Sequence, residues 1–282
     1  APQPHHSGKT FNIYSRKNEA MAKKQTNGLI PLIGSSFMSW IQNIMTYGIN
    51  AKYLPVVIVV SLLSLSGAPF RFYERWRFRK RVKETKIENP PVFILGHWRS
   101  GTTHIHNLMS QDEQFGVVST LQTLFPLQFM ATNIYRKMLQ MTMPETRPMD
   151  NMKLGIDAGQ EEELALCNMS VHSFYYGWVF PKYMEMHYDK YIKLENPHIR
   201  TRWKKVYDKM LKLATINANG KRIVLKNPPN TGRIKAFLEM YPDAKFIHIY
   251  RNPYIVYLST KTLYKKAVSI FYLQKLSEEE EE

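Results

Sequence analysis

From Pro90 onward, short apolar runs alternate with stretches of helical periodicity, which predicts a parallel sheet joined by crossover helices. The strand candidates are Val92 to Leu95, Gly116 to Thr120, Ile223 to Lys226 and Lys245 to Tyr250. Ile199 to Ile216 has helical spacing, with Ile199, Trp203, Val206, Tyr207, Met210 and Ala214 on one stripe that must face a core. Thr231 to Tyr241 predicts a shorter helix closed by Pro242. The final KLSEEEEE has no folding pattern and reads as an acidic tail over 277–282.

The stretch before residue 88 is built differently. Between Lys24 and Arg71 the only charged residue is Lys52, so something other than water is expected to face this region. Leu29 to Ile49 sets Trp40 and Tyr47 among Met and Ile, as an interfacial helix does. Tyr53 to Phe70 carries no charge but is interrupted by Pro55, serines and Gly67, which makes it marginal against the roughly 20 apolar residues of a membrane span. Arg71 to Lys86 then holds eight basic and two acidic residues. On a helix, Phe72, Tyr73 and Trp76 share one face and Arg71, Arg75 and Arg79 another. A basic amphipathic helix beside an uncharged segment predicts attachment to an anionic membrane surface; the bland alternative packs its aromatics on the domain that follows.

Composition narrows the class. The chain has 282 residues, 44% hydrophobic and 13% aromatic, enough to bury a large core. A formal charge of +16 suits polyanionic ligands, anionic lipid or nucleic acid without choosing among them. Cys167 stands alone, which excludes an intrachain disulfide or a CxxC pair and predicts a buried small apolar side chain. The nine histidines lack HExxH spacing, so no metal is expected. No signal-peptide order opens the chain; residues 1–28, with His5 and His6, read as a polar leader, and Met21 as the natural start.

Candidate chemistry begins at PPVFILGHWRSGTT, residues 90–103, a strand running into a glycine-punctuated turn. Gly96 and Gly101 have phosphate-loop spacing, but Thr102 stands where an NTPase needs lysine, and the nearest cation is Arg99. The amides from Arg99 to Thr103 would still cradle an anion at a helix start. Three further segments follow at places where such sheets bind ligands. In VLKNPPNTGR, Lys226 ends a strand. In FIHIYRNPYIVYLST, Arg251 precedes an Asn252-Pro253 helix start and Ser259 lies two turns on, so that both can reach one phosphate. The run Glu161, Glu162, Glu163 opens an apolar helix; it is either a solvated first turn or the source of a general base, and spacing leaves open which carboxylate faces inward. Tyr175, Tyr176, Trp178 and Phe180 could line an acceptor pocket, though an aromatic cluster is more often core.

Taken together, RSGTT after a strand, KNPPNTGR, and R-N-P with a serine eight residues after the arginine resemble the sulfotransferase family, in the branch with a GHWRSGTT-type loop and a QEEE-like segment. The resemblance covers about residues 69–265. It implies an α/β, P-loop-like three-layer fold with a central parallel sheet, preceded here by N-terminal apolar and basic helices, and 3′-phosphoadenosine-5′-phosphosulfate as sulfuryl donor. By that resemblance Arg99, Ser100, Gly101, Thr102 and Thr103 hold the 5′-phosphosulfate, Arg251 and Ser259 hold the 3′-phosphate, and one of Glu161, Glu162 and Glu163 takes the acceptor proton. Arg99 and Lys226 are then the candidates for stabilising charge on the leaving phosphate, without a metal. Two departures stand out: His104 occupies the position after TT where many soluble members carry an adenine-stacking tryptophan, and family members generally continue beyond the helix holding Ser259.

The expected organisation is a leader (1–28), a membrane-associating helical region (29–88), a sulfotransferase domain (89–276) that is truncated at its C-terminus, and the acidic tail. The expected acceptor is the hydroxyl or amine of a small molecule, glycan or lipid. The expected location is a membrane, on the cytoplasmic side, with a soluble cytoplasmic protein as the alternative. A P-loop kinase or nucleotide-binding protein would need lysine at 102. A basic membrane-surface protein explains the charge but not Arg99, Lys226, Arg251 and Ser259 at the ends of separate elements; nucleic acid is not an expected partner.

Overall fold

A computed structural model describes residues 30–130, 133–143 and 155–281. The leader, with His5, His6 and Met21, lies outside the described residues. In chain order the helices are α1 (Phe37–Tyr47), α2 (Leu54–Ser66), α3 (Ala68–Glu84), α4 (Thr102–Met109), α5 (Thr120–Leu124), α6 (Ile134–Thr142), α7 (Glu163–Met169), α8 (Tyr176–Val179), α9 (Met184–Tyr188), α10 (Pro197–Asn217), α11 (Ile234–Met240), α12 (Pro253–Leu263) and α13 (Glu278–Glu281). The strands are β1 (Val92–Leu95), β2 (Phe115–Val117), β3 (Arg222–Lys226) and β4 (Lys245–His248).

All strand pairings are parallel, in the order β2-β3-β1-β4. Strand β1 is central, with Phe93 opposite Leu225 on one side and Phe246 on the other. Because crossover helices cover both faces, β1 reads as a continuous apolar run. Phe93, Leu95, Ile223 and Leu225 face the main core, whereas Val92, Ile94 and Val224 meet Ile105 and Met109 of α4. The main core is aromatic: Phe93 stacks on Phe237 at 4.1 Å, and Trp203 and Tyr207 of α10 close over Phe237. The predicted α10 stripe holds, with Trp203, Tyr207, Met210 and Ala214 buried and Ile199 and Val206 packed at its margin. Asn196 caps this helix by accepting from the His198 and Ile199 amides, and Pro197 opens it.

Local chemistry moved some boundaries. The strand expected over Gly116 to Thr120 ends at Val117, because Ser119 and Gln122 form a reciprocal capping box that turns the chain into α5. The helix expected from Thr231 starts at Ile234, after Pro228–Gly232 winds as a 3₁₀ turn. The tail, expected to be unstructured, turns helical at α13: Ser277 and Glu280 cap each other, and Glu280 reaches Lys182 at 3.2 Å.

The helices before residue 88 share the core of the sheet domain. Trp40, Val57 and Val60 belong to the same buried cluster as Phe93 and Leu225. Trp40 Nε1 donates to Ser61 Oγ at 2.9 Å and Ser64 Oγ to the Ser35 carbonyl at 2.6 Å. Of the arginines placed on one face of α3, Arg71 turns inward to the Ser64 carbonyl and Gln128, while Arg75 and Arg79 stay exposed. Phe72, Tyr73 and Trp76 are all exposed, so they do not pack on the domain that follows.

Candidate active site

Three of the segments singled out in the sequence follow the carboxyl ends of β3, β1 and β4, which are neighbours in the sheet. Hydrogen bonds tie them together. The Gly96 amide donates to Thr231 Oγ1 at 3.0 Å, joining the loop after β1 to the segment after β3. Arg99 Nε donates to Ser259 Oγ at 2.9 Å, and Arg251 Nη1 comes within 3.5 Å of the Arg99 carbonyl, joining the same loop to α12. Asn252 caps α12 by accepting from the Tyr254 and Ile255 amides, with Pro253 at the first position. The sequence reading put Arg99 and Ser259 on different ends of the donor; the structure puts them in contact.

The loop itself is shaped by backbone demands. Gly96 has φ +148°, and a Cβ there would come within 2.5 Å of the Ile249 carbonyl oxygen. Gly101 caps α4 with φ +101°, and nothing lies within 4 Å of where its Cβ would be. Ser100 and Thr102 are buried, Thr103 is half-buried, and Gly101 and His104 are exposed. The first-turn amides of Thr102 and Thr103 have no acceptor within the helix, which leaves an opening suited to an anion.

The acidic run meets the segment after β3 residue by residue. Glu161 Oε1 takes Lys226 Nζ at 2.6 Å, and Glu161 Oε2 accepts from the Tyr175 hydroxyl. Glu162 accepts from the Tyr207 hydroxyl at 2.8 Å and from Asn230 Nδ2. Glu163 is gripped at both oxygens by Arg233, at 2.5 and 3.1 Å, and also accepts from Asn227, Ser173 and the Phe174 amide. Arg233 in turn donates to the Tyr191 carbonyl and lies 4.8 Å over the Trp203 ring.

Burial separates the three carboxylates. Glu162 and Glu163 are wholly enclosed, which corrects the expectation of a solvated first turn. Both Glu163 oxygens and Glu162 Oε1 are engaged by buried structural groups, and Glu162 Oε2 is sealed away without a partner, so Glu161 is the candidate base that solvent reaches. The Glu161 side chain is 24% exposed, beside a Lys226 that is 1% exposed. Burial pushes Glu162 up to about 7, against the hydrogen bonds from Tyr207 and Asn230. Burial also acts on Glu163, but the Arg233 charge and its hydrogen bonds outweigh it and hold that carboxyl below the usual range.

Sequence reasoning missed Arg233, Asn227, Asn230 and Thr231, and placed Tyr207 only in the core stripe and Tyr175 only in a possible acceptor pocket. The four missed residues lie in the quoted KNPPNTGR, where only Lys226 had been singled out. Of the four aromatics weighed as a pocket, Tyr176 and Phe180 are deep core, while Tyr175 stacks on Trp178 at 4.0 Å, next to Trp98 of the loop at 5.9 Å. Cys167 is fully buried, and burial pushes its thiol up. Among the described residues, no three His, Cys, Asp or Glu side chains gather as a metal site.

Glu162 sets a pH dependence of stability. With a folded value near 7 against 4.5 unfolded, the native state retains a proton that the unfolded chain has released between those pH values. Stability therefore falls as pH rises through that window and levels off above it. Glu162→Gln should remove this loss, a gain on the order of 3 kcal/mol at pH 8 that vanishes below pH ~4.5. His187, pushed down to about 4 by burial, works in the opposite sense, so the quantity to read is the wild-type-minus-variant difference in urea midpoint across pH. A difference independent of pH would refute the assignment.

Comparison places this arrangement of loop, cations and carboxylate in a family. The chain belongs to the sulfotransferase family, whose profile matches residues 90–281. Two curated relatives are the omega-hydroxy-beta-dihydromenaquinone-9 sulfotransferases Stf3 of Mycobacterium bovis and Mycobacterium tuberculosis, each 32% identical over 247 residues. The match takes in 86% of this chain and 63% of each relative, so the chain spans under two thirds of their length. Among solved structures, sulfotransferase STF1 of M. tuberculosis H37Rv aligns with a TM-score of 0.52 over 87% of this chain and 77% of its own. STF9 of Mycobacterium avium aligns at 0.55 over 84% and 68%. Both are 16% identical and share the fold.

Proposed function

We propose that the protein transfers a sulfuryl group from 3′-phosphoadenosine-5′-phosphosulfate to a hydroxyl of a lipid-borne acceptor at a membrane surface, on its cytoplasmic side. The observation that carries the transfer is the Glu161–Lys226 pair, a partly exposed carboxylate against a buried cation at the carboxyl edge of the sheet, on a segment that the Gly96–Thr231 hydrogen bond joins to the loop holding Arg99. The first-turn amides of α4, with Ser100, Gly101, Thr102 and Thr103, would hold the phosphosulfate. Arg251, Ser259 and the Arg99 side chain, as it is placed, would take the 3′-phosphate. In the transfer, Glu161 accepts the acceptor hydroxyl proton as the new oxygen–sulfur bond forms and the bond from sulfur to the phosphate oxygen breaks. Lys226 is placed to offset the charge that develops on the departing phosphate. A lipid hydroxyl is favoured by the Stf3 relatives, whose name specifies an omega-hydroxylated dihydromenaquinone, and by the aromatic wall of Trp98, Tyr175 and Trp178 beside Glu161.

The donor assignment is tested with 3′-phosphoadenosine-5′-phosphate. At a hundredfold excess over Kd it should stabilise the chain by about 2.7 kcal/mol, seen as a rise in Tm. Arg99→Ala and Arg251→Ala should each weaken binding by about 1.5–3 kcal/mol and so remove between about half and nine tenths of the rise. No rise in the unaltered chain, or a full rise in both variants, would sink the assignment. Incubating membrane extracts with labelled donor and identifying the sulfated product by mass spectrometry tests the acceptor.

A further inference from the structure

Residues 51–84 form one helical stretch of 34 residues, a 3₁₀ turn followed by α2 and α3, which meet at Gly67 with right-handed backbone (φ −75°, ψ −11°); by length and composition it could cross a bilayer. Its faces argue otherwise. At 100° per residue, Leu54, Ile58, Leu62, Leu65, Phe72 and Trp76 fall within about 80° of one another, and all six are exposed, Phe72 at 76% and Trp76 at 70%; Tyr73 is exposed at the edge of this stripe, and Val59 and Leu63 widen the exposed apolar surface on α2. This stripe continues past the charge-free half into the basic half. Val57, Val60, Ser64 and Glu74 lie on the opposite side and are buried against the domain. They are bonded there: Ser64 to the Ser35 carbonyl, Arg71 to the Ser64 carbonyl and Gln128, and Glu74 Oε2 accepting the Met130 amide at 2.9 Å. The exposed cations flank the stripe on both sides, Arg75 and Arg79 along one edge and Arg77 and Arg81 along the other, with Lys80 and Lys83 continuing its end.

We propose that residues 51–84 lie in the plane of one anionic leaflet, with the stripe in the acyl boundary and the flanking arginines at the lipid phosphates, and that the stretch does not span. A span would take the bonded face, with the buried Glu74 carboxylate and the domain attached to it, into hydrocarbon. The charge-free helix α2 is also short, at about 20 Å against a hydrocarbon core of about 30 Å. A stripe flanked by basic residues is the pattern of an interfacial helix, whose long cationic side chains reach out to the headgroups. The occupant is thus an anionic lipid surface, favoured over a second copy of this chain because a second copy brings the same positive flanks. The inference rests on the membrane reading above and specifies its geometry.

The test uses the whole chain with vesicles of phosphatidylcholine alone or mixed with phosphatidylglycerol. An environment-sensitive dye is attached in turn at Leu54→Cys, Leu62→Cys and Trp76→Cys; Cys167 is buried and stays unlabelled. Expected are flotation with the anionic vesicles only, weakened by high salt, and quenching at all three positions by lipids brominated near the headgroup. Leu62→Glu or Trp76→Glu should lower partitioning about tenfold or more, whereas Lys221→Glu, on the β2–β3 side of the sheet, should do so far less. No flotation would sink the membrane reading itself. Flotation with position 62 quenched best by deeply brominated chains, and 54 and 76 best by shallow ones, would establish a span and overturn the in-plane geometry alone. Dye protection without lipid, together with a doubled mass in sedimentation, would assign the stripe to a dimer.

Discussion

Arg233→Ala should cost about 3–5 kcal/mol of folding stability, because it leaves the Glu163 carboxylate buried without its counter-charge. Both side chains are fully enclosed at 2.5 Å, so the lost partner cannot be replaced by solvent. Against a typical total of about 5–15 kcal/mol, that loss brings the chain close to unfolding at ambient temperature. Glu163→Gln keeps an oxygen for the Phe174 amide yet strands the Arg233 charge, so it should cost nearly as much. The pair's contribution also depends on pH. Because Glu163 is held below its unfolded value, its stabilisation is present above about 4.5 and is lost as pH falls through the folded value. Urea denaturation of both single variants and the double variant at pH 7.5 would measure the coupling. A loss below about 1 kcal/mol for Arg233→Ala would mean that the site admits water after all.

What the sequence revealed and what it hid follow from the range of the interactions involved. Strands β1 and β3, α10 and the capped start of α12 were legible because their signals are local: apolar runs, a helical stripe, Asn-Pro at a first turn. The order of the motifs after β1, β3 and β4 was also legible, since carboxyl ends of neighbouring parallel strands converge. The division of labour within Glu161, Glu162 and Glu163 was not, because it is decided by contacts to Lys226, Asn230, Asn227 and Arg233, more than sixty residues away. Three adjacent carboxylates look alike until Tyr207 and Arg233 enclose two of them. The capping box at Ser119 and Gln122 was a local signal overlooked in favour of the β-branched look of Val117, Val118 and Thr120. The exposed stripe on α2 and α3 is hidden by the change of composition between Phe70 and Arg71, which falls inside α3 and separates an uncharged from a basic segment although the two helices form one stretch.

Glu161→Gln should lower turnover by about 10²–10⁴-fold while leaving folding and donor binding near those of the unaltered chain. The amide keeps the shape of the carboxyl and can still accept from the Tyr175 hydroxyl, but it cannot remove a proton from an incoming hydroxyl. The carboxylate is partly exposed, so although Lys226 itself is buried, the loss of its charged partner should cost less stability than breaking the fully enclosed Glu163–Arg233 pair. The effect should therefore fall on kcat, with KM for the donor and the Tm rise on binding 3′-phosphoadenosine-5′-phosphate nearly unchanged. Glu162→Gln and Glu163→Gln should behave in the reverse way, shifting stability and leaving the turnover of the remaining folded protein within a few-fold. Single-turnover assays with labelled donor, normalised to folded protein, separate the two patterns. If Glu161→Gln retains full turnover, proton removal does not pass through this carboxylate, and the acidic run serves only to bind the segment after β3 to the sheet.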